Sequence, residues 1–166
     1  METSLLPSPA ARRTGWVAAA LLTGLLAGTL DIAAACTQYV LLAHKPPVNV
    51  LRFVASGLFG PAALAGGAGM ALAGLVFHYG IACAWALVLY WLYPRWSLLR
   101  QLPPLLVGLL YGAVVWAIMN LLVVPASRIP PRPFNLPSAA MAMGILMACI
   151  GLPIAWRAAR YYGRRP

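Results

Sequence analysis

This chain has almost no negative charge. Among its 166 residues there are two acidic side chains, Glu2 and Asp31, against twelve Lys and Arg. A paired acid and base built from carboxylates is therefore excluded from the body of the chain, where Asp31 stands alone. Charge of either sign is scarce: 8% of the residues carry one, where soluble domains carry about 25%, so a water-facing surface cannot be built from this composition. Gly-rich phosphate loops, dinucleotide fingerprints and serine-nucleophile motifs are missing as well. The three cysteines, Cys36, Cys83 and Cys149, never fall into a Cys-x-x-Cys spacing, and each reads as a small hydrophobe inside an apolar run.

What is present is apolar: 63% of the residues are hydrophobic, gathered into long runs. A helix needs about 20 apolar residues to cross a bilayer. Four runs meet that length, at about 15–43, 64–93, 103–124 and 138–156, so the expected fold is an all-α membrane protein with four transmembrane helices. His44-Lys45-Pro46-Pro47 ends the first, Pro94-Arg95 the second, and Pro103-Pro104 opens the third, because proline cannot continue a helix. Between the first two runs lies VNVLRFVASGLFGP, read as a helix over 48–60 with Asn49 as N-cap and Pro61 as stop. At about 20 Å it is too short to span, which makes it interfacial or re-entrant. Tyr90, Trp91, Tyr93 and Trp96 form an expected aromatic belt at one interface.

Residues 1–14 are expected to be a disordered basic lead. They are not read as part of a signal peptide, since the run that follows exceeds an h-region and holds Asp31. Residues 15–157 form one four-helix transmembrane domain and 158–166 a basic tail. The formal charge of +10 sits between and beyond the apolar runs, which suits anionic lipid headgroups rather than nucleic acid. Eight Lys and Arg fall on the face that holds both termini and four on the other (Lys45, Arg52, Arg128 and Arg132). The positive-inside rule then places both termini in the cytoplasm.

Small residues mark the expected helix contacts: Gly24 and Gly28, Gly108 and Gly112, and Gly74. LLTGLLAG at 21–28 matches LLVGLLYG at 105–112 in six of eight positions, a sign of two similar halves. Gly24, Gly28, Asp31, Ala35 and Gln38 share one face of the first helix, so Asp31 is aimed into the bundle. A charge at the centre of a membrane helix costs about 2.5–3.5 kcal/mol on insertion scales and calls for a partner. His78 stands at similar depth on the antiparallel neighbour, and the two are expected to share a charge-assisted hydrogen bond. That pair has two readings. It is a proton relay or solute site at the midplane, extended by Gln38 and Asn120 and more weakly by Thr29, Thr37 and Tyr79, or it is a structural clamp between two helices. Neither a metal nor a cofactor is expected: His78, the cysteines and Met141, Met143 and Met147 show no ligand spacing.

GLLYG at 108–112, Pro125 and IPPRPFNLP at 129–137, leading into the last helix, resemble the YagU-type family of small bacterial inner-membrane proteins. The resemblance covers about residues 105–160, a third of the chain. The first half is similar to unassigned bacterial membrane proteins through GLLAGTLD and RFVASGLFGPAA. The resemblance implies residence in the bacterial inner membrane and no particular reaction. The functional expectation is a non-enzymatic, multi-pass protein that handles a small solute or protons, or supports membrane stress tolerance, through Asp31 and His78. The alternative is a non-catalytic accessory or assembly subunit, with a homo-oligomer or a larger membrane complex as its setting.

Overall fold

Proline and glycine cut this chain into helices. The computed structural model describes residues 9–131, 133 and 135–163. The first eight residues of the expected lead lie outside the described residues, as do Arg132, Phe134, Arg164 and Arg165. Helix α1 runs Pro9–Ala43, so it begins inside the stretch expected to be a disordered lead. It stops where His44 takes a left-handed conformation (φ 50°) ahead of the double proline. Helix α2 spans Val48–Phe59 and ends at Gly60, whose φ of 74° needs glycine. A 3-10 turn over Pro61–Ala65 leads to α3, Ala68–Leu92. The short α4, Ser97–Gln101, joins it to α5, Pro104–Ala126, and a Pro-rich loop leads to α6, Leu136–Gly163. Among the described residues there is no strand.

Four of these helices, α1 from Gly15 onward, α3, α5 and α6, are long and apolar enough to cross a membrane; α2 is a shorter apolar helix. The boundaries differ from expectation in three places, each for a local reason. Helix α3 starts at Ala68 rather than 64, because Pro61 and Gly66-Gly67 hold a separate turn. Asn49 does not cap α2: Pro47 occupies that position, and the Asn49 Oδ1 accepts from Arg52 Nη1 at 3.5 Å. The asparagine that caps is Asn135, whose Oδ1 accepts from the Ser138 N–H at 2.9 Å to start α6. Helix α6 then carries on through 158–163, the stretch read as a tail, with Ala158 fully buried.

Each of α5 and α6 contains one π turn, at Met119–Val123 and at Met147–Gly151. Each turn sits just ahead of a proline, Pro125 and Pro153. A proline ring clashes with the carbonyl four residues back and offers no N–H, and widening the ladder by one residue relieves both faults.

Lipid supplies no hydrophobic drive between helices, so close backbone approach has to hold the bundle. Gly24 and Gly28 of α1 lie against Cys83, Ala82 and Tyr79 of α3; a Cβ on Gly24 would come within 2.6 Å of the Cys83 Cα. In the second half Gly108 and Gly112 of α5 lie against Leu152 and Met147 of α6. The glycine pair of each half thus receives the second long helix of its own half. Gly74 of α3 takes the backbone of Leu51 and Ala55, which seats α2, while nothing approaches Gly67. Helix α1 also runs along α6, so these two form the centre with α3 and α5 flanking them. The Tyr111 hydroxyl of α5 donates to the Trp85 carbonyl of α3 at 2.6 Å and ties the flanks. Large apolar side chains such as Leu41, Leu72 and Leu121 face outward.

The aromatic belt divides in two. Trp91 and Trp96 are exposed, with the Arg95 guanidinium 4.3 Å from the Trp91 ring centroid, whereas Tyr90 and Tyr93 are buried. Neighbours on a helix point about 100° apart, and the 90/93 face is the one turned toward α1 and α6.

Candidate functional site

Helix geometry turns the Asp31 face of α1 toward the space between α3 and α5. That space is a cavity of about 740 Å³. Asp31 and Gln38 of α1, His78 of α3 and Asn120 of α5 all line it. Four side chains picked out along the chain therefore meet on one cavity, contributed by three long helices. Thr29, Thr37 and Tyr79 are not on its wall: Tyr79 donates its hydroxyl to Thr29 Oγ1 at 2.9 Å, since Thr29 gives its own proton to the Leu25 carbonyl.

Within the cavity the expected Asp31–His78 hydrogen bond is replaced by another. His78 Nε2 lies 2.8 Å from the Gly28 carbonyl oxygen. A carbonyl only accepts, so Nε2 carries the proton and donates. Gly28 sits one turn before Asp31, and its missing side chain lets the ring reach the main chain first. His78 still acts on Asp31 electrostatically, and Cys149 of α6 is close enough to feel the same carboxyl group. Among the described residues no donor reaches the Asp31 carboxyl and no Lys or Arg pairs with it. Gln38 donates through Nε2 to the Met141 sulfur at 2.9 Å, and Asn120 donates to the Trp116 carbonyl one turn back, also at 2.9 Å. Asp31 is thus the one ionisable acid in a largely apolar chamber.

Sequence reasoning missed the rest of the wall. Phe53 of α2, Phe77 and Trp85 of α3, and Ile145 and Ile150 of α6 close the chamber with rings and branched chains. Helix α2 and residues 127–129 form one end, joined where the Arg128 N–H donates to the Gly57 carbonyl at 3.0 Å. A second cavity of about 590 Å³ adjoins the first and shares Ala35, Gln38 and Phe53 with it. Its wall includes Tyr39, Lys45, Asn49 and Ser138, so it is the more polar of the two. Only the apolar length of α2 was visible in the sequence, not its role as a wall.

A further polar centre lies toward the termini. Thr23, fully buried, donates to the Ala19 carbonyl at 2.7 Å and accepts from the Tyr90 hydroxyl and from Arg157 Nε, both at 3.0 Å. Tyr162 donates to the Tyr90 carbonyl at 2.7 Å, and its ring stacks on Tyr93. Arg157, one of the eight basic residues of the terminal face, is exposed and also clamps α6 to α1 through its guanidinium. No group of three or more His, Cys, Asp or Glu side chains converges among the described residues.

Comparison with family models, with curated proteins and with solved structures returned no match to this chain. The site therefore has to be read from its own chemistry.

Proposed function

We propose that this multi-pass membrane protein holds a small solute in the chamber between α3 and α5, with Asp31 as its ionisable centre. The observation that carries this reading is the meeting of Asp31, His78, Gln38 and Asn120 on one cavity of about 740 Å³. That volume falls within the range of about 300–1,000 Å³ typical of ligand sites, and a few polar groups in an apolar wall is the usual pattern of such sites. A polar residue facing a cavity inside a membrane bundle marks a solute or proton path more often than a lipid contact. The adjoining polar cavity offers an approach from the side of the Pro-rich loops. The setting is the bacterial inner membrane, with both termini on the cytoplasmic side and the basic segments against anionic headgroups.

A second reading is an accessory subunit of a larger membrane complex or a homo-oligomer. It draws on Gly144, an exposed α6 glycine with open space around it, where another helix can approach closely. Native mass spectrometry of protein released from mild detergent separates the two. The solute reading expects a small molecule retained by the wild type and lost in Ala142→Phe, which puts a ring into the chamber, with the fold intact by circular dichroism. A stoichiometric second polypeptide with no small molecule overturns it in favour of the subunit reading.

A further inference from the structure

We propose that the chamber selects a lipophilic organic cation, one positive charge on an apolar body. This deepens the solute reading above and rests on it. The argument begins with Asp31. A carboxylate in an apolar chamber either takes up a proton or requires a counter-charge, and none of the described Lys or Arg residues supplies one. His78 is near, but its Nε2 proton is committed to the Gly28 carbonyl and no ion pair joins it to Asp31. With Asp31 ionised, the site is therefore one positive charge short of neutral.

The rest of the wall decides which cation fits. Inorganic cations such as Na⁺, Mg²⁺ or Ca²⁺ need several oxygen ligands closely spaced. Here Gln38 lies two turns, about 10 Å, along α1 from Asp31, Asn120 stands on another helix, and the remainder of the wall is largely hydrocarbon and aromatic. Phe53, Phe77 and Trp85 line the wall, and aromatic rings are the side chains that receive an alkyl- or aryl-ammonium group. The space is also far larger than a bare ion requires. One carboxylate, three aromatic rings and a large apolar volume match a bulky monovalent cation.

Protons compete with such a ligand. The titratable groups facing Asp31 are His78 from α3 and Cys149 from α6. Protonation of Asp31 removes the attraction, so cation binding falls as pH falls.

The test uses the full chain in non-ionic detergent, with binding measured by equilibrium dialysis and corrected for protein-free micelles. The probes are tetraphenylphosphonium, the like-shaped anion tetraphenylborate, and neutral triphenylphosphine oxide. The expected result is saturable one-to-one binding of tetraphenylphosphonium in preference to the borate. Asp31→Asn should weaken it at least tenfold and leave the neutral probe within about twofold. Lowering the pH on wild-type protein gives the same comparison should Asp31→Asn fail to fold, and His78→Gln isolates the part of the pH profile due to Asp31. Equal tetraphenylphosphonium affinity in wild type and Asp31→Asn overturns the cation inference. If Ala142→Phe then still abolishes binding of the neutral probe, the solute chamber stands without its charge preference. If Ala142→Phe alters no probe, the chamber reading itself falls and the cation inference with it.

Discussion

A helix main-chain carbonyl, not a carboxylate, takes the His78 proton, and this changes what its removal should do. Gly28 keeps its own helix bond when the ring is lost, so a double-mutant cycle between Asp31→Asn and His78→Gln should show coupling below about 1 kcal/mol in thermal unfolding. Coupling of about 3 kcal/mol would mean the two side chains bond directly. The stronger polar contact lies at Thr23. Thr23→Val strands the buried Tyr90 hydroxyl and the Arg157 Nε together, a loss of about 1–3 kcal/mol. Tyr90→Phe made on the Thr23→Val background should then add little. An additive second loss would show that Tyr90 finds its partner elsewhere.

The π turns make proline part of the design of α5 and α6. An inserted residue rotates everything after it by about 100°, and in α6 that rotation aims Arg157 at Thr23. Pro153→Ala removes a residue poor for helices, yet it should lower the unfolding temperature rather than raise it, because the turn can close and carry Arg157 off the α1 face. A rise in unfolding temperature would show that the π turn serves nothing downstream. Helix α2 yields to a simpler probe. A single cysteine at Asn49, in protein lacking Cys36, Cys83 and Cys149, should react with an impermeant thiol reagent from the periplasmic side. Labelling from the cytoplasm alone would place α2 at the other membrane face. Its seat is Gly74, where the Leu51 backbone leaves no room for a side chain, so Gly74→Leu should make that cysteine more reactive by releasing α2.

For the whole molecule the governing asymmetry is charge. Eight Lys and Arg on the terminal face against four on the loop face predict a cytoplasmic C-terminus. A reporter fused after residue 166 should be active only in its cytoplasmic form, and one inserted near residue 130 only in its periplasmic form. A periplasmic C-terminal signal would overturn the orientation. With the N-terminus still cytoplasmic it would also require an odd number of crossings, against the four long apolar helices.

Length, hydropathy and helix period are local properties, and they carried much of this protein. The four spans, the reversals at Pro46-Pro47 and Pro103-Pro104, and the faces of Gly24, Gly28, Gly108 and Gly112 could all be read from residue order, because proline geometry and apolar length act over a few turns. Asp31, His78, Gln38 and Asn120 were legible as candidates for the same reason, since polar groups in lipid are conspicuous. What they touch was not. Whether His78 meets Asp31 or the Gly28 carbonyl depends on the register between α1 and α3, and so does the split of Tyr90 from Trp91. The π turns shift that register midway along α5 and α6, and the rings of α2 reach the chamber only because Gly74 admits its backbone. Those outcomes depend on how separate helices slide and rotate against one another, and only the tertiary structure decided them.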